Sequence, residues 1–175
     1  GRGCLFGPVV AAAVILGNNN NFDLKDSKKL SEKKRSILLR EIERNAIKIS
    51  IGQASVKEID SLNIKEASLL AMERAILGLK VKNIEAIVDG IDIPKINYPC
   101  KAIIKADNKI PEVMAASIVA KVHRDNLMIA LSKKYPEFSL EKNKGYPTKE
   151  HLNILKSLGP TEYHRKSFKP VLDAR

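Results

Sequence analysis

Ala86-Ile87-Val88-Asp89-Gly90 and Ala102-Ile103-Ile104-Lys105-Ala106-Asp107 are the stretches on which the fold turns. Each is a short apolar run that stops on an aspartate, and such a run between turn signals reads as a buried strand. Gly90 and Pro94 supply the stop after the first run, and Asn108 with Pro111 supplies it after the second. In an open α/β sheet the reactive groups sit beyond the carboxyl ends of the strands. Asp89 and Asp107 are therefore expected to face one another across a few ångströms. Carboxylates that close repel unless a cation holds them, so a divalent metal site is the sharp reading. The alternative is that each aspartate caps its own turn.

Working outward, Val9–Leu16 reads as a continuous apolar strand that ends in the polar loop Gly17-Asn18-Asn19-Asn20-Asn21. Asp26-Ser27-Lys28-Lys29-Leu30-Ser31 opens a helix, with Ser31 as N-cap and Glu32 in the first turn. Leu38, Ile42 and Ala46 line one face of that helix, whereas Ile47, Ile49 and Ile51 alternate with polar or small residues at strand period. A second helix is expected over Val56–Leu79, with Leu69, Met72, Ile76 and Leu79 as its core stripe. A third is expected over Pro111–Tyr135, burying Ala115, Ile118, Val119, Val122 and Ile129. Asp125 sits on the edge of that last stripe. A buried donor as its partner is favoured over a role as a third metal ligand.

The opening Gly1-Arg2-Gly3-Cys4-Leu5-Phe6-Gly7-Pro8 gives a loop whose backbone can approach a ligand closely, but its glycine spacing misses the dinucleotide pattern. Near the other end, Lys142-Asn143-Lys144-Gly145-Tyr146 interleaves basic residues with a ring that is able to stack on a base or sugar. A solvated basic loop with a packed tyrosine is the alternative. A short helix is expected over Lys149–Leu158. His123, His151 and His164 have no zinc spacing, and neither do Cys4 and Cys100, which are expected as reduced thiols.

At 175 residues the chain suits one domain, 1–175, with a C-terminal helical segment over about 136–175. Apolar residues at 44% and charged residues at 29% exclude a disordered chain, and no apolar run reaches bilayer length. The chain does not open on a signal-peptide pattern, and a cytoplasmic monomer with no membrane association is expected. Thirty-one Lys and Arg against 20 Asp and Glu leave a formal charge of +11, which points to a polyanionic partner such as nucleic acid.

Taken in order, the motifs resemble bacterial ribonuclease HII. The resemblance runs through Gly1-Arg2-Gly3 with Gly7-Pro8-Val9-Val10-Ala11-Ala12-Ala13, and Asp26-Ser27-Lys28-Lys29-Leu30-Ser31. It continues through Val88-Asp89-Gly90, Lys105-Ala106-Asp107 and Ala115–Asp125, and ends with Lys144-Gly145-Tyr146 and His164-Arg165-Lys166-Ser167-Phe168. It implies an α/β, ribonuclease-H-like fold with a mixed five-stranded sheet flanked by helices. It also implies hydrolysis of the RNA strand of RNA–DNA hybrids, and cleavage 5′ of single ribonucleotides embedded in duplex DNA, leaving a 3′-hydroxyl.

By the same resemblance Asp89 and Asp107 are two of four carboxylates that hold two Mg²⁺ or Mn²⁺ ions. Gly1, Arg2 and Gly3 read the ribose 2′-hydroxyl, and Tyr146 packs against the adjoining nucleotide. Lys28 is expected on phosphate, with Ser117 and Lys121, one helical turn apart, as weaker candidates. Asp125 is not among the four ligands. The family motif is Asp-Glu-x-Gly-Arg-Gly, so the remaining two carboxylates and the central strand are expected upstream of Gly1. Another metal-dependent nuclease or transferase of the same fold, and a hybrid-binding module without turnover, are the competing readings.

Overall fold

The computed structural model describes residues 1–17 and 31–174. The polar loop after Gly17 and the Asp26–Leu30 motif, Lys28 included, lie outside the described residues. The elements in order are β1 (Val9–Leu16), α1 (Glu32–Asn45), β2 (Ala46–Ala54), α2 (Val56–Leu62), α3 (Ile64–Gly78), β3 (Ala86–Asp89) and β4 (Cys100–Ile103). They continue with α4 (Pro111–Ser132), α5 (Leu140–Asn143), α6 (Lys149–Leu158) and α7 (Lys169–Leu172). Among the described residues the strands of this α/β fold form two hydrogen-bonded pairs, β1 with β2 and β3 with β4. No described helix is long and apolar enough to cross a membrane.

The chain divides into two compact units, a sheet unit of residues 10–53 and 69–122, and a helical unit of residues 1–9, 54–68 and 123–175. In the sheet unit, Ser31 caps α1 by accepting from the Lys34 amide, as expected. Ile42 is the buried residue of α1, while Ala46 already belongs to β2. Val14, Leu16 and Ile42 pack with Ala115, Ile118, Val119 and Val122 of α4. A second cluster joins Ile76 to Ala86 and Val88, whose alternation sends Ile87 and Asp89 to the other face of β3.

β2 shows why side-chain period alone does not say which face is inside. Gly52 is buried whereas Ile47 and Ile51 are exposed. A Cβ on Gly52 would run into the backbone of α3 at Ala71, Arg74 and Ala75. The helix therefore rests directly on the strand, and only a residue without a side chain fits.

The single helix expected over Val56–Leu79 is broken. Asn63 takes a φ of 73°, and its side-chain oxygen accepts from the Lys65 and Glu66 amides, which starts α3 afresh. Asparagine does this because it tolerates positive φ and caps a helix with the same side chain.

The helical unit is built on Leu5, Phe6, Met128, Phe138, Leu140, Leu155 and Val171. Met128 fills the buried position in the second half of α4, and Ile129 is half-buried, because the inward face there has turned to Arg124, Asp125 and Met128. Asp60 of α2 accepts from the Lys166 and Ser167 amides and the Ser167 hydroxyl, which fixes the C-terminal turn. His151 and His164 are fully buried, with their Nε2 atoms 3.1 Å apart, and Phe6 and Phe138 each lie with their ring centroids 4.8 Å from His164. Burial, and next the neighbouring His151, push His164 down to about 3 from an ordinary 6.5. Burial also lowers His151, against the opposing bond to the Tyr146 carbonyl.

Two consequences are measurable. Gly52→Ala forces the α3 backbone off β2 and is expected to cost about 1–3 kcal/mol in urea unfolding at constant m-value. The histidine pair makes the fold acid-sensitive. The unfolded chain takes up protons below pH 6.5 and the folded chain does not, so stability is complete above 6.5 and is lost as pH falls towards 3. Unfolding free energy should drop across that window with a slope of up to about 1.4 kcal/mol per pH unit from His164, and His151 adds in the same direction. A flat profile would contradict the burial of neutral rings.

Candidate active site

Asp89 is the last residue of β3, which pairs in parallel with β4 through Ala86↔Cys100 to Asp89↔Ile103. It sits where an open sheet places its functional groups. The second aspartate is reached differently from the expectation. β4 ends at Ile103, four residues short of Asp107, and Lys105 turns the chain in the left-handed region at φ 57°. Asp107 then lies on a single 3₁₀ turn, Ala106–Asn108, and is 4% exposed. The Ala106 amide donates to Asp89 Oδ1 at 3.0 Å. The bond comes from the turn that carries Asp107, not from the turn that follows Asp89, and it ties the two acidic segments together.

Asp89 and Asp107 border one cavity of about 530 Å³, lined by residues 10–16 of β1, by residues 84–89 and by the first turns of α4. Glu85 and Glu112 also border it, as does Ser117, whose hydroxyl donates to the Met114 carbonyl at 2.8 Å. Lys121 is half-buried and does not line it. Among the described residues no three His, Cys, Asp or Glu side chains gather as one metal-binding group.

The helical unit brings together the other predicted residues, Gly1, Arg2, Gly3 and Tyr146. The Leu5 amide donates to the Gly145 carbonyl, the Gly7 amide to Tyr163, and the Arg165 amide to Leu5, each at 2.8 Å. The loop is thereby stitched to both C-terminal motifs. Gly1 faces the Arg124 side chain, whereas a Cβ on Gly3 would meet nothing within 4 Å. Neither intramolecular packing nor a positive φ accounts for a glycine at position 3.

Tyr146 is 41% exposed, and its phenol bonds the Cys4 side chain, next to Gly3. Burial, and then Cys4, raise the phenol above its usual range, with Asp125 adding to the effect. Asp125 itself is 4% exposed and belongs to this helical unit, while Asp89 and Asp107 belong to the sheet unit.

Two arginines with no role assigned from the sequence carry the loop. Arg165 is fully buried; its Nε donates to the Gly7 carbonyl at 2.9 Å, Nη1 to Arg2 at 2.8 Å and Nη2 to Pro8 at 3.1 Å. Arg124, 2% exposed, donates to the Lys144 carbonyl at 2.8 Å and to Phe6 at 3.0 Å. Burial lowers Arg165 to about 10, so it stays charged at neutral pH. The sequence signals for Arg124 are its place in the run Ala115–Asp125 and a second charge beside Asp125 on an apolar stripe.

Comparison with known proteins agrees along the whole chain. The family model for ribonuclease HII matches residues 1–171. Ribonuclease HII of Shewanella halifaxensis is 51% identical over 175 residues, covering 99% of this chain and 86% of the relative. That of Pelagibacter ubique is 52% identical and covers 99% and 94%. Among solved structures, the Archaeoglobus fulgidus enzyme, determined as a PCNA:RNase HII complex, superposes with a TM-score of 0.82 at 30% identity over 100% of this chain and 93% of that one. Ribonuclease H2 of Pyrococcus horikoshii gives 0.77 at 27% identity over 99% and 92%. The two aspartates that border one cavity and the arginine-held glycine loop thus belong to a chain of the ribonuclease HII family, whose members are ribonuclease-H-type endoribonucleases.

Proposed function

We propose that this chain hydrolyses the RNA strand of RNA–DNA hybrids and cuts on the 5′ side of single ribonucleotides in duplex DNA, leaving a 3′-hydroxyl. The observation that carries the reading is the shared cavity of Asp89 and Asp107 in a chain of this family. Two divalent ions, Mg²⁺ or Mn²⁺, would activate a water and stabilise the leaving oxygen of an in-line displacement. The carboxylate oxygens of Asp89 and Asp107 are hard donors suited to either ion. They offset half the charge of two such ions, so substrate phosphate and further oxygen ligands complete the coordination.

The chain's own residues divide the remaining work. The Ala106 amide holds Asp89 Oδ1 and so orients that carboxylate. Gly1, Arg2 and Gly3 present a solvent-exposed loop to the ribose, and the 2′-hydroxyl is the group that separates RNA from DNA at a fixed position. Tyr146 presents a half-exposed ring to the neighbouring nucleotide. Lys28, Ser117 and Lys121 serve phosphate, helped by the net charge of +11. The protein acts as a cytoplasmic monomer in this reading.

Asp89→Asn and Asp107→Asn test it. Each is expected to lower metal-dependent cleavage by more than the roughly 10–100-fold that loss of an outer-shell partner costs. Affinity for the hybrid should change less than about three-fold, because phosphate contacts dominate it. Cleavage rates with Mg²⁺ and Mn²⁺, measured beside hybrid affinity, check both halves. Full turnover in either variant would remove these aspartates from the metal site.

A further inference from the structure

Each imidazole nitrogen of the buried histidine pair has a partner, and the partners at the two ends fix where the protons sit. The Thr161 amide donates to His164 Nδ1 at 3.0 Å, so that nitrogen carries a lone pair. A neutral His164 therefore holds its proton on Nε2. At the other end His151 Nδ1 lies 2.9 Å from the Tyr146 carbonyl, which only accepts, so His151 carries its proton there and a lone pair on Nε2. The contact in the middle, Nε2 to Nε2 at 3.1 Å, is then a bond from His164 to His151. Both ends demand the same direction.

The pair is not a metal site, because no third His, Cys, Asp or Glu joins it among the described residues. Phe6 and Phe138 cover the rings at their edges and keep water out.

What this chain of bonds connects gives it a use. His164 is bridged through its backbone to Phe6, three residues after Gly3. The Tyr146 carbonyl, which also accepts from Thr148 at 2.8 Å, belongs to the residue whose ring is proposed to pack beside that loop. We propose that His164 and His151 form a proton-ordered relay, Thr161 N–H to His164 to His151 to the Tyr146 carbonyl, that sets Tyr146 in register with the Gly-Arg-Gly loop. They are positioning residues and touch no substrate. The inference deepens the substrate reading and rests on the junction role of Tyr146. A second proton on either ring puts N–H against N–H, at Thr161 for His164 and at His164 for His151, so both rings work neutral.

The test combines tautomers with recognition. In the ¹⁵N-labelled chain at pH 7, long-range imidazole correlations should show His164 protonated at Nε2 alone and His151 at Nδ1 alone. Reversed or averaged tautomers overturn the relay without any variant. Recognition is read as the affinity ratio between two duplexes that differ only in one 2′-hydroxyl, with Tyr146→Ala as the control.

His151→Phe, which keeps a ring and loses the donor, should reduce that ratio about five-fold or more. His151→Asn, whose amide N–H takes the place of Nδ1–H, should stay within about two-fold of the native ratio at a comparable melting temperature. If Tyr146→Ala collapses the ratio and His151→Phe leaves it intact, the relay is wrong and the tyrosine reading stands. If Tyr146→Ala changes nothing, the junction reading falls and the relay's part in recognition falls with it. Should His151→Phe fail to fold, the wild-type tautomers together with His151→Asn decide.

Discussion

A buried guanidinium has to be satisfied, and Arg165 is satisfied by the backbone of the N-terminal glycine-rich loop. A charge removed from water is tolerable only when its donors are used. Arg165 places three of them on the carbonyls of Arg2, Gly7 and Pro8, across up to 163 residues of sequence. These carbonyls lie where an exposed glycine-rich loop would otherwise be free to move. The planar fork fixes the angles between the three bonds as well as their lengths. Arg124 repeats the device on Phe6 and Lys144. The result is a loop open towards solvent at Gly3 and held rigidly from beneath.

The same constraint shapes what surrounds it. Cys4, Leu5 and Phe6 are driven inward, and Phe6 becomes the ring on which Tyr135, Phe138, Tyr163 and His164 converge. Gly145 takes a φ of 80°, and its Cβ position lies 3.1 Å from Phe6, so the turn before Tyr146 needs a glycine on two counts. In the sheet unit the corresponding constraint is smaller. One amide on one carboxylate oxygen, Ala106 to Asp89, sets the turn that carries Asp107.

Features that depend on neighbouring residues are legible in the amino-acid sequence itself. β1 has its expected bounds, Ser31 and Thr148 cap the helices that follow them, and α6 spans the residues its pattern predicts. The pairing of Asp89 with Asp107 at one cavity is readable because strand ends and turn residues are local signals. What the sequence hides depends on contacts distant along the chain. Gly52 looks like a weak strand residue until α3 is laid on it, and the Asn63 break hides inside a continuous apolar stripe. His164 and Arg165 stand in a motif of the resemblance, but the grip of Arg165 on the loop and the link of His164 to His151 lie in carbonyls and rings brought together only by folding.

That the loop held by Arg165 reads the sugar is the central claim, and one comparison tests it most directly. Affinities of the native chain and of Arg165→Lys are measured for two duplexes identical except for one 2′-hydroxyl, at a temperature where both proteins are folded. Lysine keeps the charge but cannot make the three-carbonyl fork. The native chain is expected to prefer the ribonucleotide duplex, and Arg165→Lys to lose most of that preference while still binding both duplexes. Equal affinity of the native chain for the two duplexes, or an undiminished preference in Arg165→Lys, would contradict the claim.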